Sequence, residues 1–287
     1  MHTAARILTT VLSIASPCTL PSVMAQTWEY RGLDRFALPD GGYRSQGVVS
    51  DGRHWFFSWR YGLEKTNPGY DVVERNGSLL RRRSGIPATI ADRGGNHIGD
   101  IDQFDGTLYL PIEDAPNYRT PVIALFDAAT LAYTGVAFPL QRADLTQGVP
   151  WVAVDGPGNL AYTAEWALAT RLNVHRLSDF GNLGYLPLSQ PVGRLQGAKV
   201  HGGFLYAASD NPAKSIYRIA LADGSVVDML QIGRFHDLQD GSEHELEGLA
   251  INDDAQGVSM HVLLRHGSLQ QPVAAEMLLL HFARIVP

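Results

Sequence analysis

The chain has one cysteine, Cys18, and only three lysines, Lys65, Lys199 and Lys214. With a single thiol no intrachain disulfide forms, so packing and strand pairing must hold the fold. Scarce lysine and a formal net charge of −6 exclude the basic stripe of a nucleic-acid binder; Arg81-Arg82-Arg83, the one basic run, is too short for a polyanion footprint. No segment sustains a 3.6-residue apolar period, so no long helix is expected. Gly-x-Ser-x-Gly, a phosphate-binding Gly-rich loop, His-Glu-x-x-His and Cys-x-x-Cys are all missing, which removes the commonest serine hydrolase, nucleotide, zinc-peptidase and thiol-redox signatures.

What is present begins with a leader pattern. His2 and Arg6 precede an apolar stretch from Ile7 to Ala15, and Val23-Met24-Ala25 supplies small residues for cleavage before Gln26. The apolar stretch is too short to span a bilayer. Residues 1–25 therefore read as a signal peptide that also removes Cys18, and 26–287 as one domain, exported to the periplasm or secreted. We expect a monomer with a small-molecule substrate and no membrane or nucleic-acid partner.

The mature chain repeats. Ser45-Gln46-Gly47-Val48-Val49, His97-Ile98-Gly99-Asp100-Ile101, Thr146-Gln147-Gly148-Val149-Pro150, Leu195-Gln196-Gly197-Ala198-Lys199 and Leu246-Glu247-Gly248-Leu249-Ala250 place glycines 52, 49, 49 and 51 residues apart. A period near 50 with several short strands per unit predicts propeller blades. Each glycine segment reads as a first strand, followed by a hairpin signal such as Asp51-Gly52 or Asp105-Gly106 and by an aromatic or apolar second strand. Third strands are expected at Tyr70 to Glu74, Val122 to Phe126, Arg171 to Arg176, Ser215 to Ala220 and Glu276 to Arg284. The fifth unit ends after three strands. Trp28 to Phe36, which precedes the first unit, can supply the fourth and close the ring, leaving no open edge there. The fold expected is all-β, a five-bladed β-propeller.

First strands line the central channel of such a ring, and second strands run antiparallel to them. The start of one and the end of the other share a channel mouth. This predicts two polar rings there: Gln46, His97, Gln147, Gln196 and Glu247, then Arg60, Glu113, Glu165, Asp210 and the adjacent Arg265 and His266. Only one of the last two can face the channel, because neighbouring residues on a strand point to opposite faces. His97 is the candidate acid or base, with Glu113, Glu165, Glu247 or His266 as counterpart. Arg60 and Arg265 are candidates for binding an anionic group through the planar guanidinium fork, beside Gln46, Gln147, Gln196 and Asp210. Glu247 with channel amides is a candidate ligand set for Ca²⁺ or Mg²⁺, and His97, His244, Glu245 and Glu247 for another metal; no cofactor is certain. Trp59, Trp151 and Trp166 are candidates for stacking on a ligand or for packing between blades.

Arg44-Ser45-Gln46-Gly47-Val48, backed by the strand Trp55 to Trp59, resembles the blade opening of the five-bladed glutamine cyclotransferase family. That resemblance implies a site at one channel mouth; Arg60 stands where the family would carry a glutamate. Leu246-Glu247-Gly248-Leu249-Ala250 resembles the Glu-Gly openings of gluconolactonase-type propellers, which implies a metal-binding role for Glu247. The resulting expectation is an enzyme using acid/base chemistry, a lyase or hydrolase, on a small polar or anionic molecule such as a sugar acid. The alternative is a non-catalytic propeller that binds a ligand or protein.

Overall fold

The computed structural model of the chain describes residues 27–239, 241–267 and 276–285. The leader and Cys18 lie outside them. Strand β1, Thr27–Phe36, comes first. The first blade then holds β2 (Gly47–Ser50), β3 (Trp55–Trp59), β4 (Gly62–Thr66) and β5 (Val72–Asn76). The second holds β6 (His97–Ile98), β7 (Asp102–Phe104), β8 (Thr107–Glu113), β9 (Val122–Asp127) and β10 (Tyr133–Pro139). In the third are β11 (Ala153–Asp155), β12 (Leu160–Thr163), β13 (Leu168–Arg176) and β14 (Asn182–Gly193), and in the fourth β15 (Leu195–His201), β16 (Phe204–Ser209), β17 (Ser215–Ala220) and β18 (Val226–Gln231). The fifth has β19 (His244–Asp254), β20 (Gly257–His266) and β21 (Glu276–Ile285), and β1 pairs antiparallel with β21 to complete it. The five sheets form the five-bladed propeller that the repeat predicts, closed by the N-terminal strand.

Each blade is buried on both faces, so its middle strands are apolar at successive positions rather than at alternate ones. On β16, Leu205 and Ala207 pack toward the third blade, while Tyr206 and Ala208 pack toward the fifth. The joint between the fifth and first blades is filled by Phe36, Val48, Trp55, Phe57, Leu263, Met277 and Leu279. Trp151 is fully buried core, not a stacking platform.

The first blade departs from the expected layout. Tyr70 to Glu74 is not its third strand: Val72–Asn76 is the outermost, and the third is Gly62–Thr66, Gly-Leu-Glu-Lys-Thr. That segment is polar in sequence yet fully buried, because its charges find partners elsewhere in the fold. Glu64 accepts from Arg44 Nε at 2.6 Å and Arg75 Nε at 2.5 Å, and Lys65 donates to the carbonyls of Ala128 and Ala129.

The repeated glycines mark close approaches. A Cβ at Gly47, Gly197 or Gly248 would lie 2.7–2.8 Å from a carboxylate oxygen of Asp100, which occupies the channel waist. At Gly99 it would strike the Pro150 carbonyl, and at Gly148, where φ is +88°, the Glu113 carboxylate. Any larger residue forces these backbones apart. In the second and third blades the glycine precedes or interrupts the first strand: β6 and β7 flank Gly99 to Ile101, and β11 starts only at Ala153.

Candidate functional site

Asp100 is wholly buried at the waist. It accepts the backbone N–H of Val48 at 3.0 Å and of Ala198 at 3.2 Å, and Lys199 Nζ at 2.7 Å. One carboxylate thus ties together the first, second and fourth blades. Burial pushes its carboxyl up to about 7 against the opposing pull of Lys199, and pushes neighbouring Asp102 up to about 6. Asp102 in turn accepts the Val154 N–H at 2.8 Å, linking the second blade to the third.

Toward the predicted mouth, successive blades are stapled at corresponding points. Ile98 N–H donates to the Arg60 carbonyl at 3.1 Å, and Val149 N–H to Glu113 Oε2 at 2.7 Å. Leu195 N–H donates to the Trp166 carbonyl at 3.1 Å, and Leu246 N–H to Asp210 Oδ1 at 3.0 Å. In each case an acceptor at or just beyond the end of a blade's second strand takes an N–H near the start of the next blade. Glu113 and Asp210, expected to face a ligand, are instead buried acceptors in this girdle. Asp210 also takes Arg194 and Lys214, which saturates it.

At the fifth joint the corresponding residue is Arg265, a donor. Here lies a cavity of about 650 Å³, lined by Gln46, Arg60 and Arg265 together with Leu38, Pro39, Trp59, Tyr61, Leu79 and Met277. The structure decides between the neighbours on β20. Arg265 faces this cavity, with Nη1 3.6 Å from Glu245 Oε2, while His266 turns to His244, ring centroids 4.9 Å apart, and to Glu276. Arg265 Nη2 is buried and has no hydrogen-bond partner among the described residues. A buried guanidinium N–H without an acceptor costs free energy; unlike Arg218 Nη1, which is also without a partner among the described residues, this one lies on a residue of the cavity wall and can take an acceptor from outside the chain.

His97 joins the cavity through Gln46. Its Nδ1 lies 2.9 Å from Glu113 Oε1 and its Nε2 2.6 Å from Gln46 Oε1. Gln46 Nε2 donates to the Ser45 carbonyl, which turns Oε1 toward the imidazole. Both ring nitrogens face oxygen acceptors, so the ring orients Gln46 and Glu113 and leaves neither nitrogen free for a ligand. Arg60 is exposed, and Asn96 holds it through Nε at 3.3 Å.

The remaining candidates are not brought together with these. Glu165 accepts from Thr146 Oγ1 at 2.9 Å and lines a separate small cleft with Asp144 and Arg171. Gln147 is exposed and does not line the cavity. Gln196 reaches Glu245 at 3.4 Å. Glu247 is buried below the mouth, and burial, with Glu245 beside it, holds its carboxyl well above the usual range. No group of three or more His, Cys, Asp or Glu side chains placed to hold a metal occurs among the described residues. The apolar walls were missed from sequence, because Leu38, Leu79 and Met277 lie on two connecting segments and the last strand.

No family model matches the sequence, and no curated protein is similar to it. Solved structures are similar to it in part. The tail fiber of Staphylococcus aureus phage P68 superposes with a TM-score of 0.51 at 14% identity, over 90% of this chain and 53% of the other. Kuenenia stuttgartiensis hydrazine synthase gives a TM-score of 0.45 at 13% identity, over 81% and 58%. The chain thus spans little more than half the length of either neighbour. At such identity the phage fiber is a likeness of fold alone, and the resemblances to glutamine cyclotransferases and gluconolactonases find no named counterpart among these two structures.

Proposed function

We propose that this propeller is an exported binding protein for one small anionic molecule, held at the channel mouth in the cavity between the fifth and first blades. The observation that carries the reading is Arg265 Nη2, a buried donor on the cavity wall with no acceptor among the described residues. A carboxylate oxygen would satisfy it by a charge-assisted hydrogen bond, with Arg60 on the same wall as a second cation. Binding is favoured over acid/base turnover because His97, Glu113 and Asp210 are already engaged by the fold. The leader pattern of residues 1–25 supports a location outside the cytoplasm.

The test uses Trp59 as reporter, since it lines the cavity. Titration with simple carboxylates should quench or shift its fluorescence. Arg265→Gln should weaken binding by at least about tenfold, and Arg60→Lys by about 1.5 kcal/mol, the size of a lost charge-assisted hydrogen bond. Unchanged affinity in both variants would refute the site. The catalytic alternative has one observation of its own: burial holds the Glu247 carboxyl well above the usual range, against the pull of Arg265, and this favours the protonated form that a proton donor needs. Turnover lost in Glu247→Gln with binding retained would convert the binding protein into an enzyme.

A further inference from the structure

We infer that the occupant of this cavity is an amphipathic monoanion, a carboxylate on an acyl chain or single aryl group, rather than a polyhydroxylated sugar acid. The inference rests on the binding reading above and adds the chemistry of the ligand's body and the number of its charges.

The body follows from the walls. Leu38, Pro39, Trp59, Tyr61, Leu79 and Met277 supply half of the lining residues, and the lining surface is mainly apolar. The polar side chains beside them are already engaged. Ser45 Oγ donates to the Gly42 carbonyl at 3.2 Å, Gln46 Nε2 to the Ser45 carbonyl, and Gln46 Oε1 receives His97. A sugar acid would bring several hydroxyls against apolar surface with few free partners, and each unmatched hydroxyl costs free energy. A hydrocarbon body instead gains by burial. Leu38 and Leu79 are 36% and 38% exposed, so apolar surface reaches the cavity lip. The volume, about 650 Å³, is that of a small-molecule pocket.

The charge follows from the ionised groups on hand. Arg60 and Arg265 are cationic, and Glu245 stands 3.6 Å from Arg265. Glu113, which takes His97 and the Val149 N–H, does not line the cavity. Glu245 offsets part of the Arg265 charge, although burial raises its carboxyl; the two guanidiniums then suit a single carboxylate, whereas a dianion would bring a second charge against apolar wall.

The cavity is built before any ligand arrives. Trp59 Nε1 donates to the Ser78 carbonyl at 3.3 Å, and the Tyr43 ring meets Trp59 edge-on at 4.9 Å. Arg75 covers Tyr43 at 4.0 Å from the ring centroid. At Gly42 a Cβ would lie 3.2 Å from Leu79 Cδ1, so the two connecting segments touch and hold each other. A pre-formed wall lowers the entropic cost of binding.

The experiment is a calorimetric titration of the mature protein with three probes: octanoate, gluconate and octanamide. Octanoate should bind best. Gluconate should be at least ~30-fold weaker, since it forgoes the burial of several methylenes. Octanamide should be at least ~10-fold weaker, since it forgoes the charged hydrogen bonds. Gluconate matching or exceeding octanoate would overturn the apolar body while leaving the anion site standing. Octanamide matching octanoate would overturn the anion reading itself, and silence from all three would overturn both. Leu79→Asp, a change at a partly exposed position, locates the binding. It should weaken octanoate at least ~10-fold and change gluconate little; an unaltered octanoate affinity would place the binding elsewhere and overturn the inference.

Discussion

The joint between the fourth and fifth blades and the joint between the fifth and first are built from equivalent positions and have opposite characters. At the first of these, Asp210 follows β16, accepts the Leu246 N–H and gathers Arg194 and Lys214. At the second, Arg265 near the end of β20 keeps a buried N–H that has no partner among the described residues, beside a cavity. An acceptor at this position closes a joint, and a donor leaves it able to receive an acceptor from outside. Polar residues recur at the mouth of every blade, but most of them hold blades together. On the wall of this cavity, Arg265 Nη2 lacks an acceptor among the described residues, and the proposed site rests on it.

The largest expected effect breaks the closed joint. Asp210→Ala leaves a buried N–H of Leu246 and two cations without their anion, so it should cost about 3 kcal/mol in chemical denaturation, near the loss for removing one partner of a buried pair. A loss below about 1 kcal/mol would mean that the carboxylate is not a staple.

A second effect, on the order of 2 kcal/mol, concerns the channel waist and is read as a function of pH. Asp100 and Asp102 have folded-state values raised to about 7 and about 6, from 3.8. A raised carboxyl contributes stability that is present at acid pH and is lost as pH rises through the folded value. His261, lowered to about 3 by burial and by His281, acts in the opposite sense below neutrality. The difference between the wild type and Asp102→Asn isolates the first contribution: stability should shift in favour of the Asn variant as pH rises from about 4 to about 7. A difference independent of pH would show that Asp102 is ionised at little cost.

The smallest effect sharpens the contrast at the open joint. Arg265→Gln should change the unfolding free energy by no more than about 0.5 kcal/mol, because the lost contact with Glu245 is long and the lost N–H had no partner. The same change should weaken carboxylate binding by at least about tenfold. If Arg265→Gln destabilised as much as Asp210→Ala, the two joints would be alike and the cavity a packing defect.

Particular residues show what was legible in the chain. The glycine spacing fixed the blade count, because strands crowding one axis admit no Cβ at Gly47, Gly197 or Gly248. The unpaired fourth position of the last unit predicted that β1 closes the ring. Gly-Leu-Glu-Lys-Thr at 62–66 escaped notice as a strand, since its burial depends on Arg44, Arg75 and the Ala128 carbonyl, none of them local.

Sequence by itself determined the repeat and the closure, consequences of glycine spacing, turn signals and a last unit one strand short. Only the tertiary structure decided which polar groups are spent. Glu113 and Asp210 find their partners in the next blade, and Arg265 does not. Hydrogen bonding is satisfied between neighbours in space. Leu38, Leu79 and Met277 become one wall only when the chain's first strand meets its last.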